Sequence, residues 1–298
     1  MDISFELYKV FYIVAKSGSF SAAARELFIS QSAVSQSVKG LEDSIGSRLF
    51  IRGPRSIRLT AAGELLFSYV EQAYSLLKSA EHKIEEMQNL HLGELKIGVG
   101  DTVLRHFLTP YLQQFIKKYP EIKVQIINRT TPGIIASMKK GEVDFGIITL
   151  PTDDPDIETT LFREVRDVFV ASPRFSRYAG KPINMNELLE LPLLLLQKQS
   201  ATRRNLDSYF SARDRNVIPE IELESMELLV EYARIGLGVA YVLKESADAL
   251  VSGGELFILE QTDPIPKRKL GIATLRNVPL SKAAAEFAAD IRSTANET

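Results

Sequence analysis

Gln31, Ser32, Ser35, Gln36 and Lys39 recur along one side of residues 30–45. Their amide, hydroxyl and ammonium groups are of the size that reaches base edges and phosphates in a DNA major groove. That chemistry needs a helix to present it. Ser30 can cap one, and Val34, Val38, Leu41 and Ile45 then follow at spacings of four, three and four, which buries the opposite stripe. Gly46 stops the helix. Leu49–Ile51 and Ile57–Leu59 are short apolar-alternating runs joined by Arg52-Gly53-Pro54-Arg55-Ser56, a hairpin wing around a Gly-Pro turn. With Arg48, Arg52, Arg55 and Arg58 and no acid between Gly46 and Thr60, the wing carries +4 inside a chain whose formal net charge is −2. A loop of arginines alone is an ordinary solvated turn; attached to a capped helix with a polar stripe it is an electrostatic footprint for nucleic acid.

The preceding residues supply the scaffold. Leu7, Val10, Phe11 and Val14 mark an amphipathic helix ending near Ser17-Gly18, and Ser21 is placed to cap an alanine-rich helix from Ala22 through Phe28. With the helix after Ser30 this makes a helix-turn-helix. From Thr60 the composition changes to a long helix with no Gly or Pro after Gly63 until beyond residue 92. Leu66, Val70, Ala73, Leu77, Ala80, Ile84 and Met87 alternate gaps of four and three, the seam of a coiled coil and so of a dimer, although a helix packed on its own domain carries similar periodicity. Residues 88–92 read as a hinge.

The chain has 298 residues, 45% hydrophobic and 25% charged, enough for two or three soluble domains with real cores. It contains no cysteine, which excludes disulfides and thiolate chemistry. The three histidines, His82, His91 and His106, show no metal-ligand spacing, so no metal site and no cofactor are expected. The N-terminus lacks the layout of a signal peptide and no apolar run approaches a membrane span, so a cytoplasmic protein without membrane contact is expected.

After Gly93 strands and helices alternate, which predicts an α/β architecture with mainly parallel sheets. A chain that leaves one lobe and returns to it makes two connections, the layout of a hinged clam-shell binder. Lobe I is expected at about 93–162 and 267–298, lobe II at about 163–266. Ligands bind at the carboxyl ends of such strands and against helix N-termini. Asp101-Thr102, Thr149, Ser200 through Arg203 and Gly236 through Tyr241 occupy those places.

Phe11, Ser19-Phe20-Ser21, Ala23-Ala24, Leu27, Ser30 through Ser35, Leu41-Glu42, Gly46, Leu49-Phe50, Arg52 and Leu59 through Gly63 together resemble the winged helix-turn-helix of LysR-type transcriptional regulators. The second half resembles their two-lobed effector domain, which is itself similar to periplasmic binding proteins. The resemblance implies a DNA-binding domain over 1–60, a coiled-coil linker helix and hinge over 61–92, and an effector-binding domain over 93–298. It implies DNA contacts by Gln31, Ser32, Ser35, Gln36, Lys39, Arg52 and Arg55, and dimerisation through the linker-helix seam. A small polar or anionic effector would lie in the cleft near Thr102, Thr149, Ser200 and Thr202, with Arg203 available for a carboxylate; helix capping is the alternative use of each hydroxyl. A tetramer that bends promoter DNA and alters access for RNA polymerase is also implied. Two other functions compete. An enzyme is disfavoured because no nucleophile elbow, dinucleotide loop or P-loop is present, and Gly98-Val99-Gly100-Asp101-Thr102 lacks the third glycine of a nucleotide fingerprint. A transporter-delivery binder is opposed by the basic wing and the missing signal peptide.

Overall fold

The computed structural model describes residues 3–52, 57–88 and 93–295, without the side chains of 52, 79, 82–83, 85–88 and 293–295. The chain forms two compact units, the first containing the residues up to Gln88 and the second the bulk of the chain after them.

In the first unit, α1 (Phe5–Ser17), α2 (Phe20–Glu26) and α3 (Gln31–Ile45) precede a two-stranded wing, β1 (Phe50–Arg52) and β2 (Ile57–Leu59), and the long α4 (Ala61–Gln88). Ser30 caps α3 by accepting from Ala33 N–H, and Gly46 closes it in the left-handed conformation at φ +77°. Ser19 rather than Ser21 caps α2, accepting from Ala22 N–H; the Ser21 hydroxyl instead donates to Gln31 Oε1 at 3.1 Å. Val10, Phe11, Val14, Ala23, Val34, Val38, Leu41, Leu49 and Phe50 form the core. The wing is antiparallel, with Phe50 opposite Leu59.

α4 starts against that core. Thr60 Oγ1 donates to Arg48 O at 2.7 Å and accepts from Gly63 N–H at 3.0 Å. A Cβ on Gly63 would stand 2.2 Å from the Leu49 carbonyl oxygen. Gly63→Ala is therefore expected to destabilise the first unit by about 1–3 kcal/mol, the cost of overpacking a fixed backbone contact; urea denaturation checks it. The predicted seam divides along its length. Val70 is buried, and Leu66, Phe67 and Tyr74 pack on the same core, with Tyr12 stacked on Phe67 at 5.7 Å and tilted against Tyr74 at 4.8 Å. Leu65, Tyr69, Ala73, Leu77, Ala80 and Ile84 are exposed. Leu66 and Val70, expected in the dimer seam, belong to the domain core, and Ala73, Leu77, Ala80 and Ile84 carry the same stripe on past it, exposed. The side chain of Met87 lies outside the described residues.

The second unit has two lobes. One sheet runs in the order β4–β3–β5–β12–β6, from β3 (Glu94–Val99), β4 (Lys123–Asn128), β5 (Phe145–Leu150), β6 (Ile157–Val165) and β12 (Arg268–Leu275). The other runs β11–β7–β10–β8–β9, from β7 (Asp167–Ala171), β8 (Leu193–Leu196), β9 (Ile221–Leu223), β10 (Val239–Leu243) and β11 (Phe257–Leu259). The sheets are mixed, correcting the expectation of mainly parallel ones. β4, β3 and β5 are parallel while β12 is antiparallel to both β5 and β6; β10, β8 and β9 are parallel while β7 is antiparallel to β10. The reason lies in the two crossings: the chain leaves lobe I through β6 into β7 and returns through β12. Helices fill both faces of each sheet, α5 (Asp101–Val103), α6 (Thr109–Lys118), α7 (Thr131–Lys139) and α12 (Lys282–Ala295) in lobe I, and α8 (Met185–Leu189), α9 (Ala201–Ser211), α10 (Met226–Arg234) and α11 (Lys244–Ser252) in lobe II. The helix expected from Val103 to Tyr119 carries a π turn at Leu104–Leu108.

Candidate functional site

The first unit presents a polar helix face. Gln31, Ser32, Gln36 and Lys39 are exposed and Ser35 is half-buried, because Val34, Val38 and Leu41 take the opposite stripe into the core. No local pattern assigns a role to Glu42, and it is this carboxylate that ties α3 to the wing. It is buried, Oε1 accepts from Leu49 N–H at 2.8 Å and Phe50 N–H at 3.3 Å, and Oε2 pairs with Arg48 Nη1 at 3.3 Å. Part of the wing's positive charge is thus spent internally. Arg58 is exposed. Arg55 and the side chain of Arg52 lie outside the described residues.

The second unit encloses a cleft of about 550 Å³ between its lobes, within the range of small-molecule sites. Lobe I lines it with Asp101, Thr102, Asn128, Arg129, Thr131 and Thr149, lobe II with Gln197, Ser200, Thr202 and Glu224. The lobes also touch through Arg105 Nε and Glu227 Oε1 at 3.0 Å and through His106 Nε2 and Ser246 Oγ at 3.1 Å. At the floor stands Arg268, the first residue of β12 on the return crossing. Its side chain is 8% exposed and pairs twice with Asp167, which is 1% exposed and opens β7 on the outward crossing. Nη2 donates to Thr202 Oγ1 of lobe II at 3.1 Å and Nη1 to Thr149 Oγ1 of lobe I at 3.4 Å. One guanidinium therefore holds hydroxyls from both lobes on a buried carboxylate. Beside it, burial pushes the Tyr241 hydroxyl pKa far up, with Asp167 adding to the effect; the phenol stays protonated.

Residues 5–64 match the family described as bacterial regulatory helix-turn-helix protein, lysR family, and residues 88–296 match the LysR substrate binding domain. The chain belongs to the LysR family. It is a DNA-binding transcriptional regulator with an effector-binding domain. A probable RuBisCO transcriptional regulator of Nostoc sp. is 31% identical to this LysR-type chain over 97% of it and 88% of the relative. Among solved structures, ArgP from Mycobacterium tuberculosis superposes with a TM-score of 0.70 at 20% identity, covering 97% of this chain and 96% of that one. The regulatory domain of Synechocystis CcmR in complex with 2-PG superposes at 0.63 with 25% identity, covering 69% of this chain and 99% of that domain.

Four of the five nominated effector residues of the LysR-type domain, Thr102, Thr149, Ser200 and Thr202, line the cleft together. Ser200 stands at the N-cap of α9 without making a side-chain capping bond. Arg203 does not join them. Its side chain is 2% exposed and is held by Asp207 Oδ1 at 2.8 Å, Glu222 Oε2 at 2.7 Å and Leu196 O at 3.1 Å. Helical phase explains this: one step past Thr202 turns the side chain by about 100° onto the sheet. Arg268 and Asp167 were missed. The available signal was a charge opening a strand, followed in β7 by Val168 through Ala171 and in β12, after Lys269, by Leu270 through Ala273, runs without another charge that the structure buries. Among the described residues no group of three or more acids and histidines is placed to hold a metal, and no described helix is long and apolar enough to cross a membrane.

Proposed function

We propose that this LysR-type protein is a cytoplasmic, self-associating regulator that reads two-fold symmetric promoter DNA with α3, its hold on that DNA set by a small polar or anionic metabolite in the cleft. The observation that carries the reading is the guanidinium of Arg268, shared by Thr149 and Thr202 across the two lobes. Two acids, Asp101 and Glu224, and two cations, Arg129 and Arg268, line the cleft among its described residues. Such a site selects by directed hydrogen bonds rather than by net charge, which suits a compact ligand with one acid group and further polar groups. Thr102, Ser200 and Thr202 supply hydroxyls, and Arg268 Nη1 offers a donor beyond its long bond to Thr149. Arg203 acts as a structural pin. The complex of the CcmR regulatory domain with 2-PG supports this ligand class.

On the DNA side, paired recognition helices enter successive major grooves while Arg52 and Arg55 hold the flanking backbone or reach into a minor groove. A dimer of dimers would bend the promoter, and effector binding would change the bend, and with it access for RNA polymerase, only to the extent that the ligand prefers one arrangement. The regulated genes are sought first among those the relatives' names point to, RuBisCO operons, and beside the regulator's own gene.

The test is a fluorescence-anisotropy titration onto those two upstream DNAs and a random duplex, across a salt series, with and without 2-PG. Sequence-preferring binding with a steep salt slope supports the DNA reading; equal weak binding to all three duplexes counts against it. Within that assay Gln36→Ala is expected to change sequence preference. Arg55→Ala is expected to weaken all duplexes alike and to reduce the salt slope by about one; an unaltered slope would sink its phosphate assignment.

A further inference from the structure

Phe28 occupies the turn between α2 and α3, two residues before the N-cap of the recognition helix. Its side chain is 95% exposed, the highest value among the large apolar residues described. Its backbone is left-handed at φ +55°, a conformation that glycine and asparagine adopt readily and an aromatic residue rarely does. The turn itself demands this conformation. Phe28 N–H donates to Arg25 O at 3.3 Å and Ile29 N–H to Ala24 O at 3.1 Å, the bonds by which a left-handed residue closes a helix C-terminus. The position therefore suits glycine, and the chain instead exposes an aromatic ring there at a conformational cost. The ring is not among the side chains that pack the core of the first unit. The neighbours on the chain, Ile29, Gln31 and Ser32, are exposed as well, so the ring is continuous with the polar face of α3 at the end that leads a recognition helix into the groove.

We infer that Phe28 is a DNA-contact residue, its ring packing on the apolar edge of the duplex, the thymine methyl groups and deoxyribose carbons beside the groove that α3 enters. This rests on the DNA-reading role of α3 and adds to its hydrogen-bonding side chains an uncharged contact. Aromatic contact with the thymine methyl is a known form of base readout. Strained, exposed backbone conformations persist where a function uses them.

The experiment compares wild type, Phe28→Gly and Phe28→Tyr on a labelled duplex from upstream of the protein's own gene and on the same duplex with deoxyuridine in place of thymidine. Phe28→Gly is expected to melt at the same temperature as wild type or a few degrees higher, because glycine relieves the left-handed position. Its DNA affinity is expected to fall about tenfold, the scale of re-exposing an aromatic side chain. The salt slope stays unchanged since no charge is lost, and Phe28→Tyr keeps most of the affinity. If the wild type weakens on the deoxyuridine duplex and Phe28→Gly does not, the thymine methyl is the partner. If neither responds to that change while Phe28→Gly remains weaker, the deoxyribose is. Equal affinity of Phe28→Gly and wild type overturns the inference alone. A loss accompanied by a lower melting temperature or a changed oligomer overturns it in favour of packing or self-association. Failure of the wild type to bind either duplex at low salt overturns the role of α3 as well.

Discussion

Replacing Arg268 with methionine is expected to destabilise the effector domain by about 3–5 kcal/mol, the range for removing one partner of a buried ion pair, and to abolish its response to effector. Asp167 is 1% exposed and both its oxygens accept from this one guanidinium, so the variant leaves a carboxylate buried with neither water nor cation. The double variant Arg268→Met with Asp167→Leu removes the stranded charge and is expected to recover most of the lost stability, since a buried pair contributes little over an apolar pair of similar volume. Effector response follows the guanidinium and not the stability. The double variant should therefore fold and bind DNA yet show no ligand-dependent change in anisotropy. Urea denaturation of the wild type, both single variants and the double variant measures the first effect. A double variant that stays as unstable as Arg268→Met would show that the guanidinium matters for its packing and its bonds to Thr149 and Thr202, and not for neutralising Asp167. A double variant that still responds to ligand would remove Arg268 from the effector site.

What the sequence disclosed and what it concealed follow from the range of the interactions. α3 and the two strands of the wing were legible because caps and period act over a few residues: Ser30, Val34, Val38, Leu41 and Gly46 each do in the structure what their spacing predicted, while the Gly-Pro turn of the wing lies outside the described residues. The four hydroxyls of the cleft were legible because strand ends and helix starts are local features. Arg268 and Asp167 were not, being 101 residues apart in the chain and brought together only by the two crossings between lobes. Arg203 attracted the arginine's role because it stands beside Ser200 and Thr202, but its own partners, Glu222 on β9 and the carbonyl of Leu196 on β8, come from strand pairings that no local pattern reveals. Glu42 is a similar case. Within α3 it occupies a position where an acid is usually solvated, and only the return of the chain through Leu49 and Phe50 makes it a buried acceptor. The α4 seam is a third case: one run of fours and threes serves the domain core at Leu66 and Val70 and is exposed from Ala73 to Ile84, and the point of change is where the helix outruns its domain, which periodicity does not carry.

Because the two halves of that stripe separate in the structure, they separate in their expected effects, and Leu77→Glu is the sharpest test. Leu77 is 48% exposed and Ile84, seven residues on and so on the same face, is 56% exposed, a continuation of the apolar stripe that the first unit does not use for its own core. In a dimer joined along this stripe, charge at Leu77 would be carried by both copies, and burying two carboxylates without partners costs more than the contact returns. The variant is expected to be a monomer by light scattering with the thermal stability of the DNA-binding unit unchanged. Loss of the second recognition helix removes the effective concentration that bivalent binding provides, so affinity for a two-fold symmetric site should fall by at least about a hundredfold, while affinity for a half-site stays as in the wild type. Val70→Glu supplies the contrast. Val70 is 7% exposed among the core residues of the helix-turn-helix, and a charge there is expected to unfold the first unit and so to lose half-site binding too. Two variants on one helix, seven residues apart, thus distinguish assembly from folding. A Leu77→Glu protein that remains dimeric, or one that loses half-site affinity along with its bivalent hold, would take the dimer contact away from this stripe.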